Sequence, residues 1–583
     1  MPDTRPARDL ADRADLADLE RPVRGRVVIA AALQAGATVL SIGPAVAMVE
    51  IARRLVRAEH QAVWPIAWLA IGLVAARVVL YAASAGLAHL ADADLASSLR
   101  RRLADRLAVL PLGWFAGGVS GTIKSTVQDD VATLHHAVAH ARGDLASAVA
   151  GPAVIVGYLF WVDWRLALLT VAVVAGAQSA RLRIAANSAG PARRIAAANT
   201  ELAAAAIEMV QGIDVIKAFA GGQAPERFRA AAQAYADADE QLQAIVVRGR
   251  SLTRATVAPA TILLLVTGAG TGFVGAGWTR PADVVAFVLL GLGLFELLTP
   301  IYSARDQARR AREAAHRVAS LLREPAEPSV APGAARRPSA PLAVELSGVQ
   351  FGYASDRPVL HDIDAVLEPG TVTALVGPSG AGKSTLALLI ARFYDVSGGA
   401  IRIGGVDIRE LDRDVLYRHV GFLLQDVVLL RQSVRDNIAL PVADASDAAV
   451  HAAARAASID ERIRALPRGY DSVIGEDARL SGGEAQRVAI ARTLLADTPV
   501  VVLDEATAFA DPESEAAVQD ALAELAIGRT LLVIAHRLYT VTQADQILVL
   551  DGGRIVQRGR HADLLAAEGR YADLWAAQQG VPA

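Results

Sequence analysis

The chain has 583 residues, 53% of them hydrophobic, and a net charge of −3, so it exceeds one ordinary core and carries no basic excess that would point to nucleic acid. It has no cysteine, which excludes disulfides, thiol catalysis and cysteine-ligated metals without fixing the compartment. Mean hydropathy is positive although the C-terminal half looks soluble, so a strongly apolar portion is expected upstream.

Residues 1–24 are polar and mixed in charge, with no apolar core or small-residue cleavage site. They read as a cytosolic tail or short interfacial helix, not a signal peptide. Six apolar runs follow: Val27–Val49, Gln61–Leu90, Leu145–Val162, Leu166–Ala180, Ala255–Trp278 and Val284–Ser303. The first is charge-free over 23 residues, enough for a hydrocarbon core of about 30 Å. Six such runs predict a membrane domain over residues 25–322, where single runs would suit buried helices of a soluble protein equally well.

The links alternate in length. Those after runs one, three and five are short; those after two and four are long and carry Ala, Leu, Arg and Glu at helical spacing. The long links hold 15 lysines and arginines against five in the short ones, which puts the long links on the cytoplasmic side, although Arg53, Arg54 and Arg57 run against that bias. Each long link can be two helical arms joined by a tip, with tips expected at Gly113–Ile123 and Phe219–Phe228; a tip pressed into the C-terminal half would carry force into the membrane, and an ordinary hairpin turn fits the spacing as well. In the sixth run Glu296 is an ionisable group about 18 Å along the helix from Val284, a substrate-site residue by default or an interior hydrogen-bonded carboxylate. Gln34, Thr38 and Ser41 in the first run are expected to line the same cavity.

Residues 323–341 hold five prolines and predict a linker, leaving 342–583 as a second domain. There, Gly377-Pro378-Ser379-Gly380-Ala381-Gly382-Lys383-Ser384-Thr385 follows an apolar β-branched run and leads into a helical segment, Leu386–Phe393. Strand, tight turn and helix N-terminus make a phosphate cradle: backbone N–H groups point inward, Lys383 meets the β- and γ-phosphates, and Ser384 can ligate Mg²⁺. Leu480-Ser481-Gly482-Gly483-Glu484 precedes another helix, and Ser481 with the following amides can grip a phosphate there, or simply cap the helix. Val500–Leu503 is a buried strand ending in Asp504 and Glu505. Asp504 suits Mg²⁺, and Glu505 suits a general base on the attacking water. A later apolar strand, Leu531–Ala535, ends at His536, placed to contact the γ-phosphate.

Phosphate loop, LSGGE, VVVLDE and the later histidine, in that order, resemble the ATP-binding cassette. Six spans with two long arms ahead of it resemble a type IV, exporter-fold half-transporter, over about residues 25–575. The resemblance implies an α-helical six-span membrane domain followed by an α/β P-loop cassette domain. It implies that Tyr353 stacks on adenine, Gln425 touches Mg²⁺ and senses the membrane domain, Glu505 is the catalytic base and His536 the switch histidine. It further implies that Ser481, Gly482 and Gly483 grip the ATP held by the opposite cassette, so that two chains sandwich two ATPs. Two departures stand out: Glu484 replaces the usual glutamine, and Ala508-Phe509-Ala510-Asp511 replaces Ser-Ala-Leu-Asp.

The Glu505–Glu515 stretch, the Ala/Arg-rich composition and the short tail are similar to the B half of the mycobacterial siderophore transporters. That likeness implies a bacterial inner-membrane heterodimer with a flavin-domain-bearing second half-transporter, contact with lipid, a small-molecule ferric siderophore as substrate, and no nucleic acid. The alternative is an exporter of lipid, drug or peptide, as a homo- or heterodimer.

Overall fold

The computed structural model describes residues 14–115, 120–219, 224–256, 259–298, 300–327, 336–354, 357–423, 427–504, 512–535 and 537–579. The chain divides into two compact units, Met1–Ala108 with Ser120–Glu324, and Val109–Val119 with Pro325–Ala583.

The first unit is helical. Among the described residues, four helices are long and apolar enough to cross a membrane: Arg24–Val56, His60–Ala108, Gly121–Val162 and Trp164–Ser188. The fifth and sixth apolar runs fall on Pro259–Gly275 and Pro281–Leu298. The first apolar run is not one straight rod. Helices Arg24–Leu40 and Gly43–Val56 meet at Ser41–Ile42, where Pro44 occupies the first turn of the second helix and lacks the N–H that a continuous ladder needs. Phe287, Leu159, Leu166 and Val49 form the closed centre of the bundle. Trp64, Trp68, Trp161, Trp164 and Trp278 are all exposed beside the three short links, where amphipathic rings belong at a membrane–water boundary. The guanidinium of Arg165 lies over the Trp164 and Trp278 rings, 5.2 and 5.1 Å from their centroids.

The long links are helical arms, as the spacing predicts. Val63–Ala108 runs 46 residues, Trp164–Gln211 runs 48 and Ala224–Thr256 runs 33. The helix Gly121–Val162 is less regular: two π-helical segments, Thr126–Asp130 and Ala137–Ala141, interrupt it. Asp130, buried at the end of the first, accepts two hydrogen bonds from Arg317 at 2.9 and 2.6 Å, tying this helix to Pro300–Arg323.

The polar tail is tied down where it is described. Residues 14–20 are helical, and two of their acids are buried. Asp15 accepts from Arg323 and from His316, the latter at 2.9 Å, and Glu20 pairs with Arg142. Burial pushes the Asp15 carboxyl up, but the Arg323 and His316 hydrogen bonds outweigh it and hold it below the usual carboxylate range. A depressed carboxyl stabilises the fold above its unfolded pKa, and that contribution is lost as pH falls through the folded value. Asp15→Asn should therefore remove about 1.5–3 kcal/mol of charge-assisted bonding. Thermal unfolding followed from pH 8 down should show a lower midpoint for the variant down to about pH 4, with the gap closing only below it. Equal midpoints at pH 7 would show that the tail contributes nothing to the membrane unit.

The second unit is α/β. Strands β1 (Val344–Phe351), β2 (Leu360–Leu367), β4 (Gly398–Ile403) and β5 (Val406–Asp407) form an antiparallel sheet in the order β2-β1-β4-β5. The larger sheet has the order β10-β9-β3-β8-β7-β6, from β3 (Val372–Val376), β6 (Val420–Leu423), β7 (Val500–Asp504), β8 (Thr530–Ile534), β9 (Gln546–Asp551) and β10 (Arg554–Gly559). It is parallel except at β9/β10. Strands β3 and β7 read as unbroken apolar runs because helices cover both faces of such a sheet.

Candidate functional site

The phosphate loop leaves the carboxyl end of β3, in the crevice where parallel sheets bind ligands. Gly377 has φ +153° and a Cβ there would lie 2.0 Å from the Leu550 carbonyl oxygen; Gly382 has φ +102°, and its Cβ would meet Leu360 at 2.7 Å. A side chain would clash with backbone at Gly377 and be strained at Gly382, and glycine at such positions is what lets a loop of this kind offer its amides to a phosphate. Lys383 is buried, its ammonium donating to the Gly377 and Pro378 carbonyls at 2.9 Å each, which holds it across the mouth of the loop. The helix that follows is Lys383–Ile390, three residues earlier at both ends than the sequence suggests. The left-handed turn at Gly382 opens it, and the left-handed Arg392 (φ 52°) closes it. Lys383, Ser384 and Thr385 are thus its first turn, with Ser384 exposed.

Tyr353, expected beside adenine, is half-exposed, and its hydroxyl lies 3.1 Å from Thr385 Oγ1. Asp504 ends β7, buried, at the same edge of the sheet. Ser481 caps helix Gly482–Ala496: its hydroxyl accepts from the Glu484 N–H, and the Glu484 carboxylate accepts from the Ser481 N–H at 2.8 Å and from Arg462 at 2.6 Å. Burial pushes the Glu484 acid up; the Ser481 and Arg462 hydrogen bonds prevail and keep it below its ordinary range. The departure from glutamine is thereby absorbed into a reciprocal cap with an arginine partner. Gln425, Glu505, His536 and the 508–511 segment lie outside the described residues, as does the side chain of Glu296, which sits on helix Pro281–Leu298.

The described part of the first tip belongs to the second unit, where it is bonded beside the phosphate-loop helix. In the short helix Leu112–Phe115, the Gly113 N–H donates to the Phe393 carbonyl and its carbonyl accepts from the Tyr394 hydroxyl, both at 2.9 Å. Phe393 and Tyr394 follow directly on the phosphate-loop helix. The Tyr394 ring also packs edge-on against Tyr353, 5.3 Å between centroids. A glycine-rich break marks this tip in the sequence, but nothing there singles out Phe393 and Tyr394 as the residues it meets.

Sequence reasoning missed a further cluster in the first unit. His89, His135 and His140 each offer a ring nitrogen, and these lie within 4.8 Å of one another, an arrangement that can hold a metal ion. The run HHAVAH holds two of the three, but His135 and His140 are five apart and fall about 140° apart on an ideal α-helix. The π segment Ala137–Ala141, closing i to i+5, puts them on one face. Gln34 and Thr38, expected at a substrate cavity, bond to Asp144 (3.2 Å) and Ser147 (2.9 Å) on helix Arg142–Val162. The Ser41 hydroxyl turns back on the Thr38 carbonyl.

Residues 27–298 match the family described as the ABC transporter transmembrane region, and residues 360–508 match the ABC transporter family proper. The mycobactin import ATP-binding/permease protein IrtA of Mycolicibacterium smegmatis is 44% identical over 96% of this chain and 65% of its own length. The IrtA protein of Mycobacterium tuberculosis is 42% identical over 96% and 65%. The chain therefore spans slightly less than two thirds of these relatives. An ATP-dependent lipid A-core flippase of Aromatoleum aromaticum is 36% identical over 88% of this chain and 84% of its own. Among solved structures, a bacterial Atm1-family ABC exporter with ATP bound is similar at a TM-score of 0.71 and 29% identity, covering 95% of this chain and 98% of that one.

Proposed function

This chain belongs to the ABC transporter family, and we propose that it is one half of a heterodimeric, ATP-driven importer of ferric siderophores of the mycobactin class. It is a multi-pass membrane protein whose ATPase is coupled to transport. The observation that carries the import reading is the 44% identity, sustained over 96% of the chain, to a protein named for mycobactin import. The 36% identity to a lipid A-core flippase supports the second reading, export of a lipid by the same fold.

In this reading two cassettes face each other in the bacterial cytosol beneath the inner membrane. Lys383 and the loop amides bind and orient the β- and γ-phosphates, Tyr353 stacks on adenine, and Ser481 with the Gly482 and Gly483 amides grips the nucleotide of the opposite cassette. Glu505 takes a proton from the attacking water and His536 contacts the γ-phosphate. The glycine cradle and the buried carboxylate at the end of β7 fit a magnesium nucleotide. Ser384, Gln425 and Asp504 would hold Mg²⁺, which would neutralise part of the phosphate charge. The partner is a second half-transporter bearing a flavin domain.

The test is uptake of iron-labelled carboxymycobactin into proteoliposomes with ATP on the cassette side, by this chain alone and with the partner. ATP-dependent movement towards the cassettes that needs both chains is the expected result; hydrolysis without such movement, with lipid flipping by the lone chain, would replace import by the flippase reading. Glu296→Ala should flatten the stimulation of ATPase by substrate while leaving basal hydrolysis in place, and an unchanged stimulation curve would remove Glu296 from the substrate path.

A further inference from the structure

Two of the points at which the chain passes between its units, Ala108–Val109 and Glu324–Pro325, lie among the described residues. They are more than 200 positions apart in sequence, yet on the cassette side the two segments are bonded to each other. The Glu327 N–H donates to the Val109 carbonyl at 3.0 Å, and both residues belong to the second unit. Leu110, the next residue after Val109, is 1% exposed, so the entering segment is seated in the domain.

The Glu327 side chain makes this pairing more than a backbone contact. Its carboxylate lies 3.7 Å from Arg392 Nε and 3.6 Å from Arg413 Nη1, and it is only 14% exposed. Burying a carboxylate is costly unless it is paired, and two guanidinia pair this one. Arg392 is the left-handed residue that closes the phosphate-loop helix, and its side chain is buried. It also donates to Asp395 Oδ1 at 3.0 Å and to the Ile408 and Leu411 carbonyls at 3.0 and 3.2 Å, so its own position does not hang on Glu327. Arg413 opens helix Arg413–His419. Phe393 and Tyr394, which follow Arg392, are the residues bonded to Gly113. Linker and first tip are thus fastened to one another and to the same three-residue corner, directly after helix Lys383–Ile390.

We propose that Glu327 is a positioning residue that locks the linker and the first tip into one joint at Arg392, so that nucleotide on the phosphate loop acts on both crossings together. Two segments entering a domain separately respond separately; a shared carboxylate couples them, and such coupling is reciprocal. The joint needs only that the cassette binds ATP, and it is independent of the substrate and of the direction of transport.

The experiment follows amide hydrogen exchange in the full chain in nanodiscs, with and without the non-hydrolysable analogue AMP-PNP. In the wild-type chain AMP-PNP should slow exchange at 100–113 and at 317–327 together. Glu327→Gln keeps the backbone N–H and the size of the side chain and removes the charge. It should speed exchange at 109–113 about 10-fold, although no residue there is changed, and the two segments should no longer respond to AMP-PNP together. Glu327→Asp, which keeps the charge, should restore much of the wild-type pattern. AMP-PNP affinity should stay at the wild-type value in each variant, because Lys383 and the loop amides are untouched; that separates loss of the joint from loss of the site. Should Glu327→Gln fail to assemble, Arg413→Gln, which removes one of the paired cations, takes its place. Unchanged exchange at 109–113 would show that linker and tip are independent and overturn the joint. Faster exchange there, with both segments still responding together, would leave Glu327 a structural anchor and overturn its positioning role. A wild-type chain in which AMP-PNP alters neither segment would overturn the proposal outright.

Discussion

Glu505→Gln should hydrolyse ATP at least about 100-fold more slowly than the wild-type chain while still binding it, because a positioned general base supplies roughly 10²- to 10⁴-fold. Its neighbour Asp504 ends the fully buried strand β7 at the carboxyl end of the sheet, where the phosphate loop also leaves β3. Glutamine keeps the size and the hydrogen bonds of the side chain and removes only its capacity to accept a proton. Nucleotide retained on a filter after washing should rise in the variant as turnover falls. Turnover equal to wild type would show that another group activates the water, and the residue following Asp504 would lose its catalytic assignment.

Gly113→Val should uncouple the two activities. A Cβ at Gly113 would lie 2.3 Å from the Tyr394 ring and 2.5 Å from the Phe393 carbonyl oxygen, and backbone cannot swing aside as a flexible side-chain tip can. Overpacking of this kind costs about 1–3 kcal/mol, which is roughly a 5- to 150-fold loss of the docked tip. The phosphate loop and Lys383 are untouched, so basal hydrolysis should stay close to wild type while substrate-stimulated hydrolysis and transport fall together. Tyr394→Phe, which removes only the hydroxyl bonded to the Gly113 carbonyl, should do the same more mildly. A Gly113→Val protein that transports normally would mean that the tip carries no mechanical load.

The parts of this protein that were legible in the sequence are those whose chemistry is contiguous. The stretch from Gly377 to Thr385 is strand, turn and helix in one run, and the helical arms announce themselves by spacing. Even there, the boundaries of the first helix shifted by three residues, because left-handed Gly382 and Arg392 decide where it starts and stops. What escaped was non-local. The polar tail reads as a cytosolic tail or short interfacial helix, and nothing local shows that Asp15 meets His316 and Arg323, some 300 positions away. The partners of Gln34 and Thr38, Asp144 and Ser147, are on another helix more than 100 positions away. The histidine trio needed two helices and an irregular turn, and a reading that assumes 3.6 residues per turn separates the very rings that the fold assembles.

The π turn at Ala137–Ala141 holds one residue more than an α-helix of the same rise, and a surplus of that kind behaves differently from an insertion in a loop. Losing Ala137 or Ala139 would heal the helix, improve its hydrogen-bond ladder and leave Val138 in place. His135 and His140 would then be four residues apart, about 40° apart on an ideal α-helix, and the two rings would keep a common face. Closing the full segment as plain α-helix would instead set them about 140° apart. In a lineage of such proteins, a one-residue gap at this point is therefore compatible with the trio, which depends on the helical phase there and not on a fixed number of residues.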